Sequence, residues 1–167
     1  DVIQLNGEAI EEEPQLIGNN GHIHPVDKVM FPPTLGDMLQ HNPLLSEFPA
    51  LLDVAYTLAR GTTLLDSLKS DNLFTVFAPI NSDFMPNPAL SDAQVLEVLL
   101  YHVVGGRSTR FNDFPGTITT MQGDRLLFTG RTVRTTNPQS LTLRFEDIQG
   151  KNGILHLVSE VMLPEGI

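Results

Sequence analysis

The chain has 167 residues, 41% of them apolar and 18% charged, which suits one well-buried core with an appendage and argues against disorder. Its net charge of -10 disfavours a general nucleic-acid binder, and the absence of cysteine removes disulfides, thiolate metal sites and thiol catalysis. The longest apolar run, Val98 to Val104, is interrupted by Tyr101 and His102 and falls far short of the roughly 20 residues of a membrane span.

Residues 1–33 read as the last two strands of a domain. VIQLNGEAI carries an Asn-Gly turn signal, Glu11 to Glu13 is a solvated acidic run, and HIHPVDKVMF closes at Pro32-Pro33. Pro25 suits an edge or a bulge. Thirty-three residues cannot bury a core of their own, so this piece is expected to pack on the domain that follows. No charged-then-apolar leader follows Asp1, as expected of a chain that begins inside a repeat.

Thr34 is an N-cap for a short helix through Leu35, Met38 and Leu39, stopped at Asn42-Pro43. A second helix is predicted from about Leu44 to Arg60, with Leu51, Leu52, Ala55, Leu58 and Ala59 as its stripe and Gly61 as its stop. Thr62 or Thr63 starts a third through Leu64, Leu65 and Leu68. LFTVFA at 73–78 alternates and is aromatic and β-branched, hence a strand. Asn81 and Ser82 then turn the chain, and Phe84 and Met85 return to the core.

Ser91 and Gln94 make a capping box for a helix to Val104, apolar almost all round and ended by Gly105-Gly106. From Arg107 the period becomes two. Strands are predicted at 117–121, 125–129, 132–135, 141–145 and 154–163, separated by Gln-Gly-Asp, Thr-Gly-Arg, Asn-Pro and Lys-Asn-Gly turns. Helices first and antiparallel strands afterwards describe an α+β domain.

The chain also repeats itself. NGHIHPVDKVMFP at 20–32 aligns without a gap on NGILHLVSEVMLP at 152–164, an offset of 132 residues, which is a domain length and too long for a solenoid repeat. The second copy reads as a closing strand, with Ile154 or Leu155 in the core and His156 as a fixed structural polar group.

Three blocks carry a family resemblance: LFTVFAPINSDF at 73–84, VLLYHVVGG at 98–106 and NGILHLVSEVMLP at 152–164. In order and spacing, residues 34–164 resemble a fasciclin-type (FAS1) adhesion domain. Ile80 departs from that pattern, which commonly has a small polar residue before the Asn. The resemblance implies a sandwich or wedge of mostly antiparallel β-strands with a layer of short helices, present in tandem copies on secreted or surface-anchored proteins. Residues 1–33 then resemble the closing strands of a preceding FAS1 domain, and 34–167 a complete one. It also implies an extracellular cell-adhesion or matrix-interaction module that contacts a cell-surface receptor or matrix component, protein or acidic polysaccharide, with self-association as a further option. The alternative is a carrier of an apolar small molecule such as a carotenoid on the same scaffold.

Candidate contacts follow. Tyr101 and His102 resemble the segment implicated in integrin contact in animal members of the family, but on so apolar a helix at least one should point inward to a fixed partner. Residues 107–151 hold four acids against seven bases, a basic patch on an acidic protein. Its arginines, Arg107, Arg110, Arg125, Arg131, Arg134 and Arg144, are a solvated face or a contact for sulfated or carboxylated polysaccharide, since a guanidinium suits planar oxyanions. His22, His24 and Asp27 have metal-ligand types, yet His22 becomes Ile154 in the repeat, and no metal or cofactor is expected. No nucleophile elbow, phosphate loop, His-Glu-x-x-His or dinucleotide fingerprint occurs, and we expect no enzyme.

Overall fold

The computed structural model of the protein describes residues 4–5, 8–9, 16–23, 29, 31–41, 45, 57–58, 62–80 and 90–167. The chain divides into two compact units, Asp1–Pro33 and Thr34–Ile167. In the first, β1 (Gln4–Leu5) and β2 (Glu8–Ala9) pair antiparallel across the Asn-Gly signal. A hairpin follows, β3 (Leu16–Gly18) with β4 (Gly21–Ile23), pairing Leu16 with Ile23, Ile17 with His22 and Gly18 with Gly21. The side chains of His22, His24 and Asp27 lie outside the described residues.

In the second unit α1 (Leu35–His41) starts at Thr34, whose amide and hydroxyl donate to the Asp37 carboxylate. The ribbon β5 (Thr57–Leu58) and β6 (Thr62–Thr63) comes next. Thr57 and Leu58 are thus strand, where the sequence led us to expect the last turn of a helix over 44–60. β-Branched threonines on both sides of Gly61 favour a turn back over another helical turn. Leu45 is buried, and the rest of 42–56, like 81–89 with Asn81, Ser82, Phe84 and Met85, lies outside the described residues. α2 (Leu64–Leu68) is capped reciprocally by Thr63 and Asp66 and buries Leu64, Leu65 and Leu68.

After β7 (Phe74–Pro79), α3 (Asp92–Tyr101) opens with the Ser91 amide donating to Gln94. It ends three residues earlier than its apolar run suggests, because Val103 and Val104 form β8 (Val103–Gly105) and pair with Val76 and Thr75. Nor is it buried all round, since Ala93 and Glu97 face solvent. A 3-10 turn at Phe111–Asp113 leads to β9 (Thr117–Thr119), β10 (Arg125–Thr129), β11 (Thr132–Arg134), β12 (Ser140–Gly150) and β13 (Gly153–Val158).

These strands form one seven-stranded sheet in the order β8-β7-β13-β12-β11-β10-β9, antiparallel except where β13 runs parallel to β7. The sheet folds over on itself, and the Met121 amide beyond β9 donates to the Val103 carbonyl of β8 at 2.7 Å. Every residue of β7 and β13 is buried, because each of these strands has a core on both faces. On one face Phe74, Val76, Ala78, Leu155 and Leu157 meet the leucines of α1 and α2. On the other Phe77 and Val158 meet Ile118, Leu126, Phe128, Val133, Leu141 and Leu143. A helical layer on a doubled sheet is the α+β wedge expected from the sequence.

The β12–β13 pairing places Ile148 opposite Leu155, Gln149 opposite Ile154 and Gly150 opposite Gly153. Shifted by 132 residues, this is the register of β3 with β4. Leu155 is fully buried, whereas its counterpart Ile23 is 63% exposed.

Candidate functional site

Tyr101 and His102 end α3 and are both completely buried. The Tyr101 ring belongs to the inner core, while its hydroxyl donates to the Arg125 carbonyl at 3.1 Å and accepts the Thr136 amide at 3.0 Å. His102 Nδ1 sits 2.7 Å from the Val98 carbonyl, and Nε2 is 3.0 Å from the Met162 amide. Those partners define a neutral imidazole that donates from Nδ1 and accepts at Nε2. As placed, neither side chain offers surface to a partner.

Burial depresses the His102 pKa to about 4 from 6.5. The unfolded chain thus takes up a proton first as pH falls. The resulting stability is complete above 6.5 and is lost between 6.5 and 4, about 3 kcal/mol over the window. We expect the urea midpoint to drop between pH 7 and pH 4.5, with a shallower drop in His102→Leu or His102→Gln. An equal drop in all three would assign the pH dependence to other groups.

His156 is also fully buried, stacks on Phe77 at 5.4 Å, accepts the Asp147 amide at Nδ1 and lies 3.0 Å from the Thr109 carbonyl at Nε2. Burial lowers its pKa too.

The arginines divide. Two-residue alternation points Leu126, Phe128, Val133, Leu141 and Leu143 inward, and their neighbours Arg125, Leu127, Thr129, Arg134, Thr142 and Arg144 outward. With Thr117 and Thr119 of β9 and Thr132 and Ser140 of the neighbouring strands, the outward residues as far as Arg144 are three arginines, hydroxyl groups and Leu127; Glu146 and Asp147 follow farther along β12. Arg131, in the β10–β11 turn, is paired with Glu146. Arg107 and Arg110 lie on the exposed segment between β8 and β9.

The β11–β12 loop borders an open pocket of about 580 Å³, lined among others by Thr117, Arg125, Leu127, Arg134, Thr136, Pro138, Gln139 and Ser140. Among the described residues no acidic side chain lines it. The Asp124 carboxylate accepts the hydroxyl of the pocket-lining Thr136 at 3.2 Å. The loop is anchored from the far side: Gln139 accepts the Leu163 amide at 2.8 Å and reaches the Val161 carbonyl. The sequence named both arginines but not the pocket, because a nine-residue separation says nothing about strand pairing until the register is known.

Fold and site define a compact α+β module with a basic outer sheet face. Residues 50–164 match the family model described as "Fasciclin domain", and the chain belongs to that family. It is similar to protein sll1483 of Synechocystis, 28% identical over 114 residues, covering 63% of this chain and 63% of that protein. Human periostin is 24% identical over 168 residues, 98% of this chain and 19% of periostin. The chain thus spans less than two thirds of these relatives. A solved FAS1 domain pair from the insect cell adhesion molecule fasciclin I superposes with a TM-score of 0.62 at 17% identity, over 94% of this chain and 60% of that one, and so shows the fold. Among the described residues no helix is long and apolar enough to cross a membrane.

Proposed function

We propose that the chain is an extracellular cell-adhesion or matrix-interaction module whose partner is anionic. The observation that carries this reading is the outward run of Arg125, Arg134 and Arg144 on β10–β12, where no outward residue of β9–β11, or of β12 as far as Arg144, is a carboxylate, on a protein of net charge -10. Such segregation focuses positive potential on one face while the acidic remainder repels other polyanions. Binding, not catalysis, is the activity, and affinity grows when several such modules act together. Tyr101 and His102 serve it from inside. The first 33 residues are read as closing strands of a preceding domain, supported by the shared register of the two hairpins.

The chain should be retained on heparin or alginate resin at low salt and elute as salt rises, since exposed ion pairs are screened. Passage through both resins at low salt would remove this reading. The alternative, a carrier of an apolar small molecule, would draw on Leu127 and Pro138, which share the pocket's lining with Arg125 and Arg134.

A further inference from the structure

The Tyr101 hydroxyl joins two backbone points that flank the basic pocket. It donates to the carbonyl of Arg125, whose side chain lines one side, and accepts the amide of Thr136, which lines the other. Resting on the reading that the outer face takes an anionic partner, we infer that this pocket is the subsite for a single sulfate or carboxylate group of an acidic polysaccharide, and that Tyr101 is its positioning residue. Tyr101 sets the spacing of Arg125 and Thr136 without touching the ligand.

Register supports a two-arginine grip. Leu127 is opposite Arg134, so Arg125 is its diagonal neighbour on the adjacent strand, roughly 7–8 Å away and within reach of a shared oxyanion. The hydroxyls of Thr117 and Ser140 supply neutral donors around the same space, while the proton of the Thr136 hydroxyl is held by Asp124. Two guanidinium groups hold an oxyanion by charge-assisted bonds, which lose geometry and strength when one wall shifts. Both walls are fixed from below. Tyr101 ties β10 to the loop, and Gln139 ties the loop to Val161 and Leu163, a segment that His102 also grips through Met162. Buried Tyr101 and His102 thereby act on an exposed site through its frame.

The test titrates the 167-residue chain with a heparin tetrasaccharide and, separately, an alginate tetrasaccharide, by calorimetry at several salt concentrations. The two arms separate sulfate from carboxylate recognition. Arg125→Ala/Arg134→Ala should weaken binding about tenfold or more and flatten the salt dependence by about two ionic contacts. Tyr101→Phe should weaken binding several-fold with the salt slope unchanged, because the arginines still engage. Lys151→Ala, whose ammonium pairs with Asp71, should bind as the parent does.

Should Tyr101→Phe fail to fold, Gln139→Ala releases the same loop and should show the same loss at unchanged slope. Parental affinity in the double arginine variant overturns the subsite while leaving polyanion binding by the other arginines intact. Parental affinity in Tyr101→Phe or in a folded Gln139→Ala overturns the positioning role. If the parent binds neither oligosaccharide and neither resin, the functional reading falls with the subsite.

Discussion

Replacing Gly153 by alanine should destabilise the second unit by about 3 kcal/mol or more, the upper end for overpacking a core. A Cβ at this position would lie 2.0 Å from the Phe74 carbonyl oxygen and 2.8 Å from Leu35 Cδ1. The first of these is backbone and cannot swing aside. Gly153 is the first residue of the parallel β13–β7 ladder and is paired with Phe74, whose amide also donates to the Asn152 carbonyl at 3.0 Å. Relief therefore requires β13 to move off β7, opening the strand pair on which both cores rest. The repeat provides an internal control. A Cβ at Gly21, 132 positions earlier, meets nothing within 4 Å, so Gly21→Ala should change stability by less than about 0.5 kcal/mol. Urea denaturation of both variants checks the pair, and similar midpoints would refute the steric argument.

Asn152→Ala should cost about 3–5 kcal/mol, a loss of roughly 10–20 °C in melting temperature. The side chain is 2% exposed and spends all its principal polar capacity on backbone. Its Oδ1 accepts the Leu35 amide at 2.8 Å, and its Nδ2 donates to the Leu68 and Ser70 carbonyls at 2.8 and 2.7 Å. One side chain thus satisfies the start of α1 and the end of α2 and fastens both helices to the sheet. Alanine would leave three backbone groups unpaired, at a cost of about 1–3 kcal/mol for each that water cannot reach. Asn152→Asp should be at least as damaging, because it faces two carbonyl oxygens with a carboxylate. Calorimetric scans of both variants measure the effect. A loss below about 1 kcal/mol in either would show that water replaces the amide at the helix ends.

Neither role could be read from the dipeptide. Asn-Gly after Lys151 signals a turn between two strands, and a turn is what the backbone makes there. That the asparagine also reaches Leu35, 117 residues away, depends on where α1 comes to rest. The same limit explains the revised helix ends. Val103 and Val104 continue an apolar run, and only pairing with β7 makes them a strand, since β-branched residues fit either state and tertiary contacts decide.

Local chemistry determined a good deal. Alternating residues from Thr117 to Phe145 marked the strands; which side chains face in, and the unbroken burial of β7 and β13, which have a core on each face, emerged only from the sheet order. The three sequence blocks marked the family, and the 132-residue repeat marked two related segments whose common hairpin register the strand pairing then revealed. What only the tertiary structure decided is which distant groups meet. It turned Tyr101 inward onto the frame of a pocket, set Arg125 and Arg134 side by side while Arg131 paired with Glu146, and closed Asn152 on two helices. The physical reason is that periodicity and turn chemistry act over a few residues, whereas strand register and helix docking act between segments whose separation along the chain carries no geometric information.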